Sequence, residues 1–218
     1  MSFSSKAQTP NELKLDKQQK LPNIIFFLAD DQDKLDYGCY GNDKVKTPAV
    51  DRLAKEGLVF ENAFTGQAIC APSRSQLYTG NYPLKNGAFL NHIQSKDTQI
   101  SVTKYLKDLG YDVILAGKSH VKPKSVYNWS HEWKPVHKEG VPRPYIPLDQ
   151  IEAYFKTSDK PFCLFLTSEY PHEPYFDVKG KTTDDFMYHP YNNEAKGIKE
   201  MAGYYRGIEE DNTQLDSF

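Results

Sequence analysis

Three short apolar runs, each ending abruptly in polar residues, most constrain how this 218-residue chain can fold. They are NIIFFLA from Asn23 to Ala29, YDVILA from Tyr111 to Ala116 and PFCLFL from Pro161 to Leu166. Tyr111-Asp112 apart, none alternates apolar with polar residues as a strand with one wet face would. Uninterrupted runs of this length suit strands covered on both faces, the environment of a parallel sheet.

Helical patterns lie between the runs. Thr47 and Pro48 open a helix with Val50, Leu53 and Ala54 on one face, and Gly57 ends it. Ile100 to Leu109 repeats the pattern, with Tyr105, Leu106 and Leu109 expected inward and Gly110 as the stop. Leu148, Ile151, Tyr154 and Phe155 mark a third helix, and Ile198, Met201, Ala202, Tyr205 and Ile208 a fourth. Strands alternating with helices give an α/β fold, a mostly parallel sheet flanked by helices. Residues 1–20 read as a polar tail and 21–218 as one domain. Residues 121–147 and 174–195 have no periodicity and read as functional loops or disorder.

In open α/β sheets, ligands bind beyond the carboxyl ends of the strands, and here each run ends in suitable chemistry. Asp30-Asp31 offers two hard carboxylates for Ca²⁺ or Mg²⁺. Lys118 and His120, two residues apart, would point the same way on an extended chain. His172 adds a further imidazole. Taken singly, Asp-Asp is a common turn or cap, and the others are ordinary loop residues; their convergence makes the argument.

Cys70 opens the segment Cys70-Ala71-Pro72-Ser73-Arg74, in which Pro72 suits a first helical turn and Gly80 its end. A helix N-terminus favours negative charge, and Arg74 follows one turn on, so the residues imply either a low-pKa cysteine or an anion pocket. Cys163 reads as core and Cys39 as structural. His131 and His137 fit no common metal-ligand pair, and Asn128-Trp129-Ser130 is a bare glycosylation sequon. Three cysteines make a poor disulfide framework. A net charge of -2 with no long basic run predicts no nucleic-acid partner. No run nears the roughly 18 apolar residues of a membrane span, so no membrane partner is expected. The N-terminus lacks an apolar signal core, which predicts a cytoplasmic chain, or a periplasmic or exported one if a signal was lost.

Cys-x-Pro-Ser-Arg followed by Thr79-Gly80 resembles the signature of type I, formylglycine-dependent sulfatases of the alkaline phosphatase superfamily. Leu21-Pro22-Asn23 to Asp31, Thr47-Pro48 to Ala63, Gly117-Lys118-Ser119-His120 and Pro171-His172-Glu173-Pro174 follow in that family's order. The stretch Gly117 to Trp129 is most similar to the sulfamidase-like branch, which acts on N-sulfated glucosamine.

The resemblance implies an alkaline phosphatase-like fold and a hydrolase of sulfate esters or sulfamates on carbohydrate. It implies that a maturation enzyme oxidises Cys70 to formylglycine, and that Asp30, Asp31 and the modified Cys70 help hold Ca²⁺, with Mg²⁺ as alternative. Arg74 and Lys118 would offset charge, His172 would assist the leaving group, and His120 would take the proton that lets sulfate depart. The family's later metal-site strand and its C-terminal subdomain are not among these residues. The expectation is therefore a sheet incomplete on its C-terminal side, partnered by a missing C-terminal half, with weak metal binding and little turnover by these residues alone. The alternatives are a phosphonate or phosphodiester hydrolase of the same superfamily, or an inactive remnant that binds anions or sugars.

Overall fold

The computed structural model describes residues 20–177 and 198–217, with side chains from 202 onward in the second segment. The tail expected at 1–20 therefore lies almost wholly outside the described residues, as does the irregular stretch from 178 to 195. In chain order the elements are β1 (Ile24–Asp30), α1 (Pro48–Glu56), α2 (Cys70–Thr79), α3 (Pro83–Asn86) and α4 (Val102–Asp108). There follow β2 (Asp112–Gly117), β3 (His131–Trp133), α5 (Leu148–Thr157), β4 (Phe162–Pro171) and α6 (Ile198–Asp216).

The four strands form one sheet in the order β1-β4-β2-β3, with every pairing parallel. Successive side chains of a strand face opposite sides, and the packing shows why the runs do not alternate. Val113, Leu115, Cys163 and Phe165 pack on one face, with Tyr78 of α2 and Leu106 of α4. Ile114, Ala116, Phe162, Leu164 and Leu166 pack on the other, with Ile151 of α5. Both faces of β2 and β4 are dry. β1 lies at an edge, and its Ile24 and Ile25 are exposed.

The structure corrects several expectations. Residues 121–147 are not without regular structure: His131–Trp133 forms β3, too short for any periodicity to reveal. The same stretch puts Val126, Tyr127 and Trp129 into the core, where Trp129 meets Tyr78 and Phe165 edge-on. Leu106 of α4 turns inward as expected, but Tyr105 and Leu109 are exposed, and Val102 and Thr103 turn inward in their place. On α1 the buried residue is Ala49, and Leu53 faces solvent. Thr47 does not cap α1 through its side chain. Its hydroxyl accepts from Gly38 N (2.8 Å) and donates to Asp51 (3.1 Å), tying the turn at 38–40 to the helix.

Two features aim the strand ends. The β1–β4 register shifts between Leu28 and Asp30, bringing Asp30 opposite Pro171; such bulges re-aim side chains. Gly117, at φ 118°, closes β2 where a Cβ would stand 2.0 Å from Thr167 O. Only glycine permits that approach.

Helix α6 lies against β4, burying Ala202, Tyr205 and Ile208 as its apolar spacing predicts. Polar residues also anchor it: Gln214 Oε1 accepts from Ile146 N (2.9 Å), and Ser168 Oγ donates to Asp211. Asp211 is fully buried, and its Oδ2 has no hydrogen-bond partner among the described residues. Burial pushes this carboxyl well above the ordinary range, Asp30 and Glu210 add to the rise, and the Ser168 hydrogen bond only partly opposes it. The native state then holds a proton that the unfolded chain releases above about pH 4. The contribution of Asp211 to stability is thus complete below that pH and declines as pH rises toward its folded-state pKa. Asp211→Asn should flatten this decline, leaving the variant at least as stable as wild type at pH 8 in urea unfolding series run from pH 4 to 8.

Candidate active site

The carboxyl ends of β1, β2 and β4 and the first turn of α2 meet at one place, as the open-sheet rule predicts. Asp30, the last residue of β1, has only 4% of its side chain exposed. Its Oδ1 accepts from Arg74 Nη2 at 3.1 Å, and its Oδ2 is held by Lys118 Nζ. Burial alone would raise the Asp30 carboxyl, but these two cations outweigh it and hold it below its ordinary value. Arg74 also donates to Lys118 O at 3.3 Å, so α2 and the end of β2 are locked together through β1.

Cys70 is the first residue of α2, as its sequence implies. Its Sγ lies 3.8 Å from Asp31 Oδ1 and 4.0 Å from Lys118 Nζ. Asp31 itself is exposed and takes a left-handed backbone, φ 62°. The low-pKa cysteine expected from the helix N-terminus is not what the site provides. Burial pushes the thiol up, and Asp30 and Asp31 raise it further against the opposing pull of Lys118 and Arg74. A reduced Cys70 here is a protonated thiol and a weak nucleophile.

His172, just beyond β4, turns Nε2 toward Asp31 Oδ2 at 3.6 Å. Its Nδ1 lies 2.6 Å from both Arg143 Nη2 and Glu173 O. Arginine only donates and a carbonyl only accepts, so this nitrogen serves one of them at a time. Arg143 also pairs with Glu169 at 3.3 Å. The shared direction expected of Lys118 and His120 does not hold. β2 ends at Gly117 and His120 has φ 51°; Lys118 reaches Asp30, whereas His120 Nε2 meets His92 Nδ1 at 3.0 Å. Burial, then Lys118, His92 and Arg74, push His120 down to about 4, so it is neutral at pH 7.

Asp30, Asp31, Cys70, Arg74, Asn91 and His172 are among the residues lining a cavity of about 720 Å³, which Lys118 and His120 do not line. The ligand atoms of Asp30, Cys70 and His172 lie within 4.8 Å of one another, with Asp31 beside them. Carboxylate oxygens are what a hard divalent cation requires, so the set fits one side of such a site while falling short of the six to eight oxygens Ca²⁺ takes. Sequence reading missed three participants. Arg143 sits between Pro142 and Pro144 in an unpatterned loop. Asn91 accepts from Ala71 N (3.2 Å), and His92 reaches His120; nothing local to either marks it out. Of the other residues weighed, Cys163 is core, with burial pushing its thiol up to about 11, and His131 stacks on Trp133 away from the cavity.

Comparison with known proteins fits this geometry. The sequence profile of the Sulfatase family matches residues 22–218. An ulvan-active sulfatase of Formosa agariphila is 60% identical over 97% of this chain and 44% of its own length. Human N-sulphoglucosamine sulphohydrolase is 33% identical over 69% of this chain and 32% of its own. Among solved structures, a complex with its substrate D-glucosamine-2-N,6-O-disulfate superposes with a TM-score of 0.62 at 26% identity, covering 73% of this chain and 36% of that one. The chain thus spans less than half the length of the curated relatives described here.

The two aspartates should behave differently when neutralised. Asp30→Asn leaves Arg74 and Lys118 buried without a counter-charge and should cost about 3–5 kcal/mol in urea unfolding. Asp31→Asn, at an exposed position whose left-handed backbone asparagine tolerates, should change stability by about 0.5 kcal/mol or less.

Proposed function

The chain belongs to the sulfatase family, and on that footing we propose that it hydrolyses sulfate from a sulfated carbohydrate through a formylglycine made from Cys70. The observation that carries this reading is Cys70 itself. It opens α2 between Asp31 and Lys118, in a setting that keeps an unmodified thiol protonated. A residue so placed, at the head of the family's Cys-x-Pro-Ser-Arg signature, fits oxidation by a maturation enzyme. As the hydrated aldehyde, residue 70 would offer one oxygen for attack on sulfur and a second for release of sulfate, chemistry closed to a plain cysteine.

Asp30, Asp31 and the modified Cys70 would help hold a Ca²⁺, or Mg²⁺, which when bound polarises the sulfate. Further roles fall to residues of this chain. Lys118 lies close enough to position 70 to offset negative charge on the transferring group, and Arg74 backs it from below. His172 turns Nε2 into the cavity, where it can donate to a leaving oxygen while Arg143 occupies Nδ1. His120, neutral at pH 7, is suited to accept a proton. The identity of 60% to an ulvan-active sulfatase, against 33% to the sulphohydrolase, favours a sulfate ester over a sulfamate and makes ulvan the first substrate to test.

Co-expression with a formylglycine-generating enzyme, followed by mass spectrometry of the Cys70 peptide, should reveal an aldehyde that hydrazine reagents trap. A Cys70 left wholly as thiol would overturn the reading. In the modified protein with Ca²⁺, sulfate release from sulfated oligosaccharide should exceed hydrolysis of an aryl phosphodiester, and Cys70→Ala should abolish it. The reverse preference would favour the phosphodiesterase alternative.

A further inference from the structure

His92 and His120 come from loops 28 residues apart, yet their rings meet with centroids 4.9 Å apart and a 3.0 Å contact between His120 Nε2 and His92 Nδ1. Both residues adopt left-handed backbones, φ 67° and 51°. Non-glycine residues in that region cluster at functional sites, where surrounding structure holds them. The other ring nitrogen of His120, Nδ1, is buried and has no hydrogen-bond partner among the described residues.

Two neutral imidazoles joined by one hydrogen bond hold a single proton between the facing nitrogens. When His120 Nε2 donates, its Nδ1 is left as a lone pair. The opposite arrangement puts an N–H at the buried Nδ1 with nothing among the described residues to accept it. Lys118 and Arg74 already supply positive charge to this ring, and Asp30 opposes them only weakly. We propose that His92 is a positioning residue that fixes His120 in its Nε2–H tautomer, so that Nδ1 is the nitrogen that takes the proton. This rests on the function proposed above. In that reaction a hydroxyl proton of the modified residue 70 would go to the free lone pair of His120, the O–H electron pair becoming the new C=O bond as the C–O pair leaves with sulfate. The imidazolium that results shares its charge through the hydrogen bond with His92, which is exposed to water.

The tautomer can be read in the 218-residue chain itself, without turnover, by NMR of ¹⁵N-labelled histidine. In the wild type, His120 should show one Nε2–H tautomer with Nδ1 unprotonated at pH 7. His92→Ala should release it to a mixture, and His92→Gln, whose carbonyl can accept from Nε2–H, should restore the single form. An Nδ1–H form in the wild type, or an unchanged His120 spectrum in His92→Ala, would overturn the proposal. In the modified, Ca²⁺-loaded protein, His92→Ala should lower kcat by about 10-fold or more with KM little changed, and the glutamine variant should recover much of it. Absence of turnover in every form, with the NMR pattern intact, would count against the proposed reaction and leave the histidine pair standing.

Discussion

Asp30 is where the sheet, the helix that carries Cys70 and the loop after β2 are joined. Its carboxylate is buried at the last position of β1 and takes Arg74 from α2 on one oxygen and Lys118 on the other. A charge removed from water to this degree survives only if it is fully paired. The pairing therefore fixes three elements against one another as surely as an apolar contact would. It also settles the electrostatics around Cys70. Both nearby cations are partly committed to Asp30, and the net effect of the cluster on the thiol is to keep its proton on.

The fold was readable to the extent that periodicity reports burial. Runs such as VILA and FCLFL carry no alternation because both sides of β2 and β4 are covered, and that is what their composition says. Where burial is partial the reading falters. On α4 the inward positions are Val102, Thr103 and Leu106, one of them polar, and Leu109 next to the stop is exposed. The sequence there offers two overlapping apolar faces, and only the position of β2 chooses between them. β3 could not have been found by pattern at all. Three residues are too few, and its place is set by Ser130, which donates to Val113 O and accepts from Val113 N.

The residues expected at the strand ends gather in space, but sequence says little of how they are arranged. Every residue expected from the strand ends lies near the meeting of β1, β2, β4 and α2. Their orientations follow from backbone events that sequence does not announce: the register shift before Asp30, the positive φ of Asp31 and His120, and the close passage of Gly117 over Thr167. Treating Lys118 to His120 as extended put both side chains on one side. The turn instead delivers Lys118 to the carboxylate and His120 to a histidine.

Histidine shows most clearly why residue type alone underdetermines chemistry here. His120 and His172 stand just beyond β2 and β4, and His131 opens β3. His131 is stacked on Trp133 and is part of the packing. His172 has one nitrogen contested by a donor, Arg143, and an acceptor, Glu173 O, and so can exchange tautomers as the site is occupied. His120 has one nitrogen engaged by His92 and the other buried without a partner among the described residues. A ring whose second nitrogen can switch is suited to giving a proton to a departing oxygen. A ring whose proton is held in one place is suited to taking one. The partners that make this difference, Arg143 and His92, are 29 and 28 residues away in sequence. The contacts that separate the two rings are therefore tertiary, and neither Arg143 nor His92 belongs to a motif that marks it beforehand.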